Sequence, residues 1–337
     1  MPPFPAVESR DDVTLATLSL AVAKAKTPVI FKGVVRDWPS VRAALKSPDA
    51  LIDYLKSCDN GTPAATFRQP TGDGRFFYNS TIDGFTFQRG NLPVSVTLER
   101  LRKIQNEPDA EHIYIQSAPV RDHLPRMKAE NQLPGVEAEP RIWIGNTSIT
   151  QIHFDLSENL VCMIGGKKRF ILFPPDQLPN LYMGPFERTV SNVPTSMASL
   201  ESPDFATHPR FAEALKSATV ADLEPGDVLY IPYMWWHHVV SSGGFNVQMN
   251  YWWNPALDIQ AAGGQPMQAL VLAMLAVRDL PEDQRDAWKG MFDHFVFQKN
   301  GPPAEHLPPD RRGLMGDMTF EQRLGLRRHL GKNLAED

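Results

Sequence analysis

The sequence predicts a mostly β fold with flanking helices, and three observations carry that expectation. Five β-branched or aromatic stretches crowd into residues 140 to 254: "RIWIGN", "NLVCMI", "KRFILF", "DVLYIP" and "NVQMNYWW". Past Asn254 the apolar spacing becomes helical. The composition, 42% apolar and 22% charged over 337 residues, is that of a globular chain long enough to bury a core.

Taken in order, "PVIFKGVV" at 28 to 35 reads as a strand closed by a turn at "RDWPS". In "DALIDYLKSC" the residues Leu51, Tyr54 and Leu55 share a helical face. Residues 61 to 95, rich in Gly, Thr and Phe, read as short strands separated by turns. "SVTLERLRKIQNEP" is then helical through Leu98, Leu101 and Ile104, and "EHIYIQS" returns to strand alternation. Residues 1–110 are thus expected as α/β elements supporting a core at 111–254. Within the core, "NLVCMI" and "KKRFILF" are expected to form a hairpin turning at Gly165-Gly166. The Pro-rich segment 174–222 is expected as an excursion from the sheets that walls a substrate site.

Residues 255–337 are expected as a C-terminal helical region. Trp288, Met291, Phe292 and Phe295 fall on one stripe of "DQRDAWKGMFDHFVF". "ALVLAMLAV" at 269 to 277 is apolar nearly all round, so it is expected to be buried in its own domain or against another subunit. With "MTFEQRLGLRRHL", these helices are read as a homodimer contact, the alternative being that they cap their own chain's core.

A net charge of −5 and a pI near 6.0 argue against a generally basic nucleic-acid binder and favour a protein or peptide partner over RNA. The N-terminal stretch has no basic flank followed by an apolar run, and 269 to 277 is too short to span a bilayer, so no membrane partner is expected and the cytoplasm is the default compartment. Cys58 and Cys162 are the only cysteines, too few for a thiolate metal site; a metal would be held by imidazole and carboxylate.

"TQIHFDLSEN" supplies both. Side chains two apart on an extended backbone leave the same face, so His153 and Asp155 point together while Phe154 packs behind. A third ligand arriving on another strand would complete a facial set with open positions, the arrangement of non-haem Fe(II) oxygenases; the same set can hold tetrahedral zinc. "GDVLYIPYMWWHHVV" offers His237 and His238. Adjacent strand residues face opposite ways, so one histidine is expected to bind and the other to pack or hydrogen-bond; the residues themselves leave open which. On the "KKRFILF" strand, residues 168, 170 and 172 share a face, and Lys167 and Arg169 look the other way.

The combination of "HFD", "GGKKRFILFPPDQ", "GDVLYIPYMWWHH" and "NVQMNYWW" resembles the JmjC or cupin-like Fe(II)- and 2-oxoglutarate-dependent oxygenases, and especially the asparaginyl hydroxylase of hypoxia-inducible factor. The resemblance is firm over residues 110 to 254. It implies a double-stranded β-helix, or jelly-roll, core. It implies Fe(II) on His153, Asp155 and His237, with His238 outside the ligand set. It further implies that Lys168, Thr150 and Tyr114 hold the distal carboxylate of 2-oxoglutarate and that Asn159 and Asn250 line the co-substrate pocket.

Trp235, Trp236, Trp252 and Trp253 would stiffen the surround. The implied activity uses O2 and 2-oxoglutarate as co-substrates, releases succinate and CO2, and hydroxylates a protein side chain. N-demethylation and tRNA-base hydroxylation use the same metal motif, and a zinc hydrolase and a non-catalytic cupin-like interaction module are the remaining alternatives.

Overall fold

The computed structural model describes residues 4–107, 109–190, 193–256 and 264–336. The chain divides into two compact units, one ending at Trp253 and one beginning at Asn254.

The first unit is built on eleven strands: β1 (Glu8–Arg10), β2 (Val29–Phe31), β3 (Pro63–Gln69), β4 (Gln88–Pro93), β5 (His112–Pro119), β6 (Pro140–Gly145), β7 (Ser148–Phe154), β8 (Glu158–Phe173), β9 (Thr219–Leu223), β10 (Val228–Ile231) and β11 (Trp236–Trp253). They pair in the order β1-β2-β10-β8-β11-β6-β5-β3-β4, with β7 added to β11 and β9 to β8. The first half of β8 pairs with β10 and with the end of β11; its second half pairs with β9 and with the start of β11. Two long strands therefore run through both layers of a folded sheet, as in the jelly-roll expected from the sequence.

The hairpin expected at Gly165-Gly166 does not form. β8 runs unbroken for 16 residues, because its two halves each find a partner in β11 and not in one another. The glycines serve two other needs. A side chain on Gly165 would collide with Leu51, so its absence lets the helices α2 (Pro39–Lys46) and α3 (Pro48–Cys58) lie against the strand. Gly166 takes φ +85° where the β8–β11 register shifts beside Ser242–Val247, and only glycine adopts that conformation without strain.

Period-two alternation decides which face is core. Ile142, Ile144, Leu160, Cys162, Ile164, Val247 and Met249 point outward and are buried under Leu51, Ile52 and Leu55 of α3 and Leu98 and Leu101 of α4 (Val94–Ile104). The intervening residues point between the layers: Arg141, Trp143, Asn159, Gln248 and Asn250 line a cavity there, and Val161 and Met163 join a second apolar cluster with Phe170 and Leu172. The 174–222 segment leaves the sheet through a 3-10 turn (Pro175–Asn180) and a short helix (Phe211–Lys216), but it returns as β9 before its expected end.

The first unit also carries the short helices α1 (Leu18–Lys24), α5 (Val120–His123), α6 (Pro125–Glu130) and α7 (Phe211–Lys216), and past Asn254 the structure holds α8 (Pro266–Val277), α9 (Glu282–Met291) and α10 (Phe320–Glu336). No residue of α8 is buried within this unit; Leu270, Val271, Leu272 and Leu275 are exposed. Burial inside its own domain, one of the two expectations for this run, is thus corrected: the unit contains too little chain around α8 to cover a helix apolar on every side. Trp288, Met291 and Phe295 are likewise exposed, and Phe292–Val296 continues α9 as a π-helical turn.

The turn before β10 is fixed by Asp227, 3% exposed, whose carboxylate accepts from Lys32 Nζ at 2.5 Å and from the backbone N–H groups of Gly33 and Glu224 at 3.0 Å each. Asp227→Ala would leave a cation and two amide donors without their acceptor. It is expected to lower the stability of the first unit by about 2–3 kcal/mol in chemical denaturation. A loss below about 0.5 kcal/mol would show that the turn is held by other means.

Candidate metal centre

His153, near the end of β7, and His237, near the start of β11, sit directly opposite each other in the antiparallel β7–β11 pair. Their ring centres are 4.2 Å apart. Asp155 lies just beyond the strand, with Oδ2 3.6 Å from His237 Nε2. Among the described residues these three form the one group of side chains placed to share a metal, with ligand atoms all within 4.8 Å of one another.

The imidazoles are set for coordination. His153 Nδ1–H donates to the Gln151 carbonyl at 2.8 Å, and His237 Nδ1–H donates to the Trp235 carbonyl at 3.1 Å. Since a carbonyl can only accept, the proton is on Nδ1 in both rings, and Nε2 keeps its lone pair for an ion. Burial pushes both histidines down to about 4, His153 with a further contribution from His237, so they are neutral at physiological pH. Burial raises the Asp155 carboxyl, opposed by His153 and by the Asn159 amide, which donates to Oδ2 at 3.1 Å. Two neutral nitrogens and one carboxylate on a single side of the ion make the 2-His-1-carboxylate facial triad of Fe(II) oxygenases.

The amide that holds Asp155 is itself held. Gln248 Nε2 donates to Asn250 Oδ1 at 2.9 Å, and Asn250 Nδ2 donates to Asn159 Oδ1 at 3.0 Å. A directed chain of three amides thus ends on the metal carboxylate.

His238 faces away from the centre. It is fully buried, with Nε2 2.7 Å from Glu201 Oε1. Burial works against a charged Glu201, but the contact with His238 prevails and holds its pKa down to about 2; Arg75 bonds the second oxygen at 3.0 Å.

Thr150 and His153 are three apart, which would put them on opposite faces of a regular strand. The β7–β11 register shifts between His237 and Val239, leaving one extra residue on β7, and this bulge turns Thr150 into the same cavity as His153. Tyr114 on β5 lines that cavity too, and its hydroxyl interacts with Thr150. Lys168 is 3% exposed, with Nζ 5.8 Å from the centre of the Tyr114 ring. It has no carboxylate partner among the described residues, and burial pushes its pKa down to about 7.

An ammonium buried without a counter-ion is the complement of a carboxylate, so these residues fit the distal end of 2-oxoglutarate. The cavity, of about 680 Å³, is walled by Phe170, Trp143 and Trp252, the last two packed edge to face at 5.2 Å. Trp236 instead packs behind the site on Phe154 at 4.7 Å, Trp253 stacks over Tyr230, and Trp235 borders the core around Phe170.

The sequence reading passed over Gln248, Arg141 and His123, which also line the cavity. The first two had a legible signal. In "RIWIG" and "VQMNYW" polar residues alternate with apolar ones, which puts Arg141 with Trp143 and Gln248 with Asn250 on the face opposite the core.

Comparison with known proteins agrees with this geometry. The model of the cupin-like domain family matches residues 16–259. The chain is 24% identical to the human bifunctional peptidase and (3S)-lysyl hydroxylase JMJD7, over 73% of this chain and 83% of that protein. It is 26% identical to chicken tRNA wybutosine-synthesizing protein 5, over 58% of this chain and 68% of that protein. It is 30% identical to the Arabidopsis thaliana lysine-specific demethylase JMJ32 over 39% and 46% of the two chains.

The two adjacent histidines separate experimentally. His237→Ala is expected to weaken Mn(II) binding, followed by its paramagnetic resonance signal, by more than the 10–100-fold that loss of an outer hydrogen bond costs. His238→Ala should keep the ion within that range but lower stability by about 2–3 kcal/mol, by leaving Glu201 without its buried partner. Equal loss of metal in both variants would contradict the assignment.

Proposed function

The chain belongs to the cupin-like domain family, and from the triad and the cavity beside it we propose that it hydroxylates a side chain of a protein substrate. It is a Fe(II)- and 2-oxoglutarate-dependent oxygenase. Bound Fe(II) and 2-oxoglutarate supply the oxidant: O2 is consumed, the co-substrate leaves as succinate and CO2, and one oxygen atom enters a C–H bond of the substrate.

The chain's own residues bind, orient and enclose. His153, Asp155 and His237 hold the metal on one side. Lys168, with the hydroxyls of Tyr114 and Thr150, takes the distal carboxylate of the co-substrate. Asn159 and Asn250 line the pocket between them and keep the Asp155 carboxylate aimed at the ion. Phe170 and Trp252 exclude bulk water from the reacting end. The observation that carries the reading is the buried ammonium of Lys168, without a carboxylate partner among the described residues and set against Tyr114, which shares a cavity with the triad. A zinc hydrolase would have no use for it.

The likeness to the asparaginyl hydroxylase of hypoxia-inducible factor is carried only as far as protein side-chain hydroxylation. The acidic net charge favours a protein over an RNA substrate. The relatives that act on tRNA or bear a demethylase name make those activities the second reading. We also place the protein in the cytoplasm, which its two buried free thiols fit. No described helix is long and apolar enough to cross a membrane. We assign the exposed apolar surface of α8 to a homodimer contact.

Purified protein given Fe(II), 2-oxoglutarate and air is expected to release succinate, and Asp155→Ala to reduce that release to background. Turnover that survives the substitution would refute the oxygenase reading. Mass spectrometry of proteins and tRNA from cells carrying the active or the Asp155→Ala form then separates the two substrate classes by which molecules gain one oxygen atom.

The Lys168 role has a pH signature. The ammonium is charged below pH 7, and above it 2-oxoglutarate must bring a proton with it to bind. Affinity should therefore fall as pH rises above about 7, approaching tenfold per unit, with proton uptake measurable by calorimetry in buffers of different ionisation enthalpy. Lys168→Met should bind weakly and without that slope. A flat profile in the natural protein would assign the carboxylate to another group.

A further inference from the structure

Arg141 is a cation of the cavity wall to which the reading above gives no role. It lies on β6 directly across from Asn250 on β11. Its Nε donates to Ser117 Oγ at 2.6 Å and its Nη2 to the Ser117 carbonyl at 2.6 Å. Ser117 sits in the β5 bulge with φ +50°, so the backbone is bent toward the guanidinium that it holds. The third nitrogen, Nη1, has no bonded partner among the described residues, and Arg141 lines the cavity wall.

No carboxylate pairs with this guanidinium among the described residues. Asp122 and Glu139 act on it only at a distance, being committed to Arg121 at 3.1 Å and to Lys128 at 2.5 Å. Burial correspondingly pushes the Arg141 pKa down.

The balance of charge then points to a ligand. Asp155 is the sole acidic side chain lining the cavity among the described residues. With Fe(II) and the 2-oxoglutarate dianion in place those two cancel, and Lys168 cancels Asp155. Arg141 is left over. At the rim Arg89, 4.5 Å from the centre of the Phe85 ring, adds to the positive side. A cationic substrate side chain would enter against this field with no carboxylate to meet it but Asp155, which the metal takes, whereas an anionic one would complete it.

A second orphan stands beside Arg141. Gln248 Oε1 is buried and accepts no hydrogen bond, its residue being 6% exposed, and Gln248 lies diagonally across the β6–β11 pair, about 7 Å away. A guanidinium without a carboxylate and a carbonyl without an N–H, on diagonally neighbouring positions of one strand pair, match a carboxylate side chain and a peptide amide close to it.

We propose that Arg141 and Gln248 form a specificity subsite that receives an acidic residue of a protein or peptide substrate, Arg141 taking the carboxylate and Gln248 Oε1 a neighbouring N–H. The assignment rests on the oxygenase reading above and narrows its substrate class.

The test uses the full chain loaded anaerobically with Mn(II) and 2-oxoglutarate and titrated in a calorimeter. The probes are Gly-Ser host peptides with Asp, Asn or Lys at the centre, and an unmodified tRNA transcript. The Asp peptide is expected to bind about tenfold or more tighter than the Asn peptide, with Lys weakest, since one charge-assisted hydrogen bond supplies that difference. Arg141→Gln should bring Asp down to the Asn level while leaving 2-oxoglutarate affinity unchanged, which also shows that the variant is folded. Arg141→Lys should keep part of the preference.

Equal binding of Asp and Asn, or binding of none of the peptides, overturns the subsite. Parallel loss of 2-oxoglutarate affinity in Arg141→Gln places Arg141 with the co-substrate and overturns it equally. Binding of the tRNA alone, lost in Arg141→Gln, replaces the carboxylate with a phosphate. Failure to load Mn(II) and 2-oxoglutarate in the first place would fall on the oxygenase reading, and on this one with it.

Discussion

The antiparallel pairing of β7 with β11 is the constraint on which the rest of the site depends. It places His153 opposite His237, and no other pairing of these strands would bring the two imidazoles within reach of one ion. Because side chains alternate, the same pairing sends His238 to the far side, where it meets Glu201. The single extra residue on β7 then admits Thr150 to the cavity three positions before its metal-binding neighbour. A register slip of one residue would exchange His237 for His238 and dismantle the centre.

Around that pair the molecule separates two jobs by strand face. The outward residues of β6, β8 and β11 are apolar and packed under helices, and this packing fixes the strands. The inward residues are freed from the core and carry Arg141, Gln248, Asn250 and Asn159, polar groups whose burial is tolerated because most of them bond one another. The exceptions are the informative ones. Among the described residues Lys168 and Arg141 meet no carboxylate and Gln248 Oε1 meets no N–H, a burial cost that the proposed ligands would offset.

Much of this could be read from the chain. The spacing of His153 and Asp155, the opposed faces of His237 and His238, and the inward parity of residue 168 follow from period-two geometry, and β5, β6, β8, β10 and β11 follow from the apolar stretches, whereas β9 lay inside the segment read as an excursion. What local pattern could not show was decided by long-range pairing. "IGGKK" has the composition of a hairpin turn, yet β11 is long enough to pair with both flanks, and the two glycines serve helix contact and a bend instead.

The β7 bulge was invisible because nothing in "SITQIHF" marks an extra residue until its partner is known. Arg141 was different: the alternation of "RIWIG" already put it on the face opposite the core. The apolar run of α8 was expected to be covered, and its own unit does not provide that cover.

The division of labour among segments also says where such a protein is free to diversify. β8 and β11 thread both layers, so almost any change of their course would be felt at the iron ligands and in the core together. The cavity rim is different: Arg89 at the edge of the barrel and Val190 and Val193 in the Pro-rich segment touch the opening without setting the register of the ligand-bearing strands. New substrates can therefore be acquired by remodelling the entrance while the oxidising machinery is inherited intact, which is how one ancestral scaffold can come to serve targets as unlike as a polypeptide and a nucleic acid.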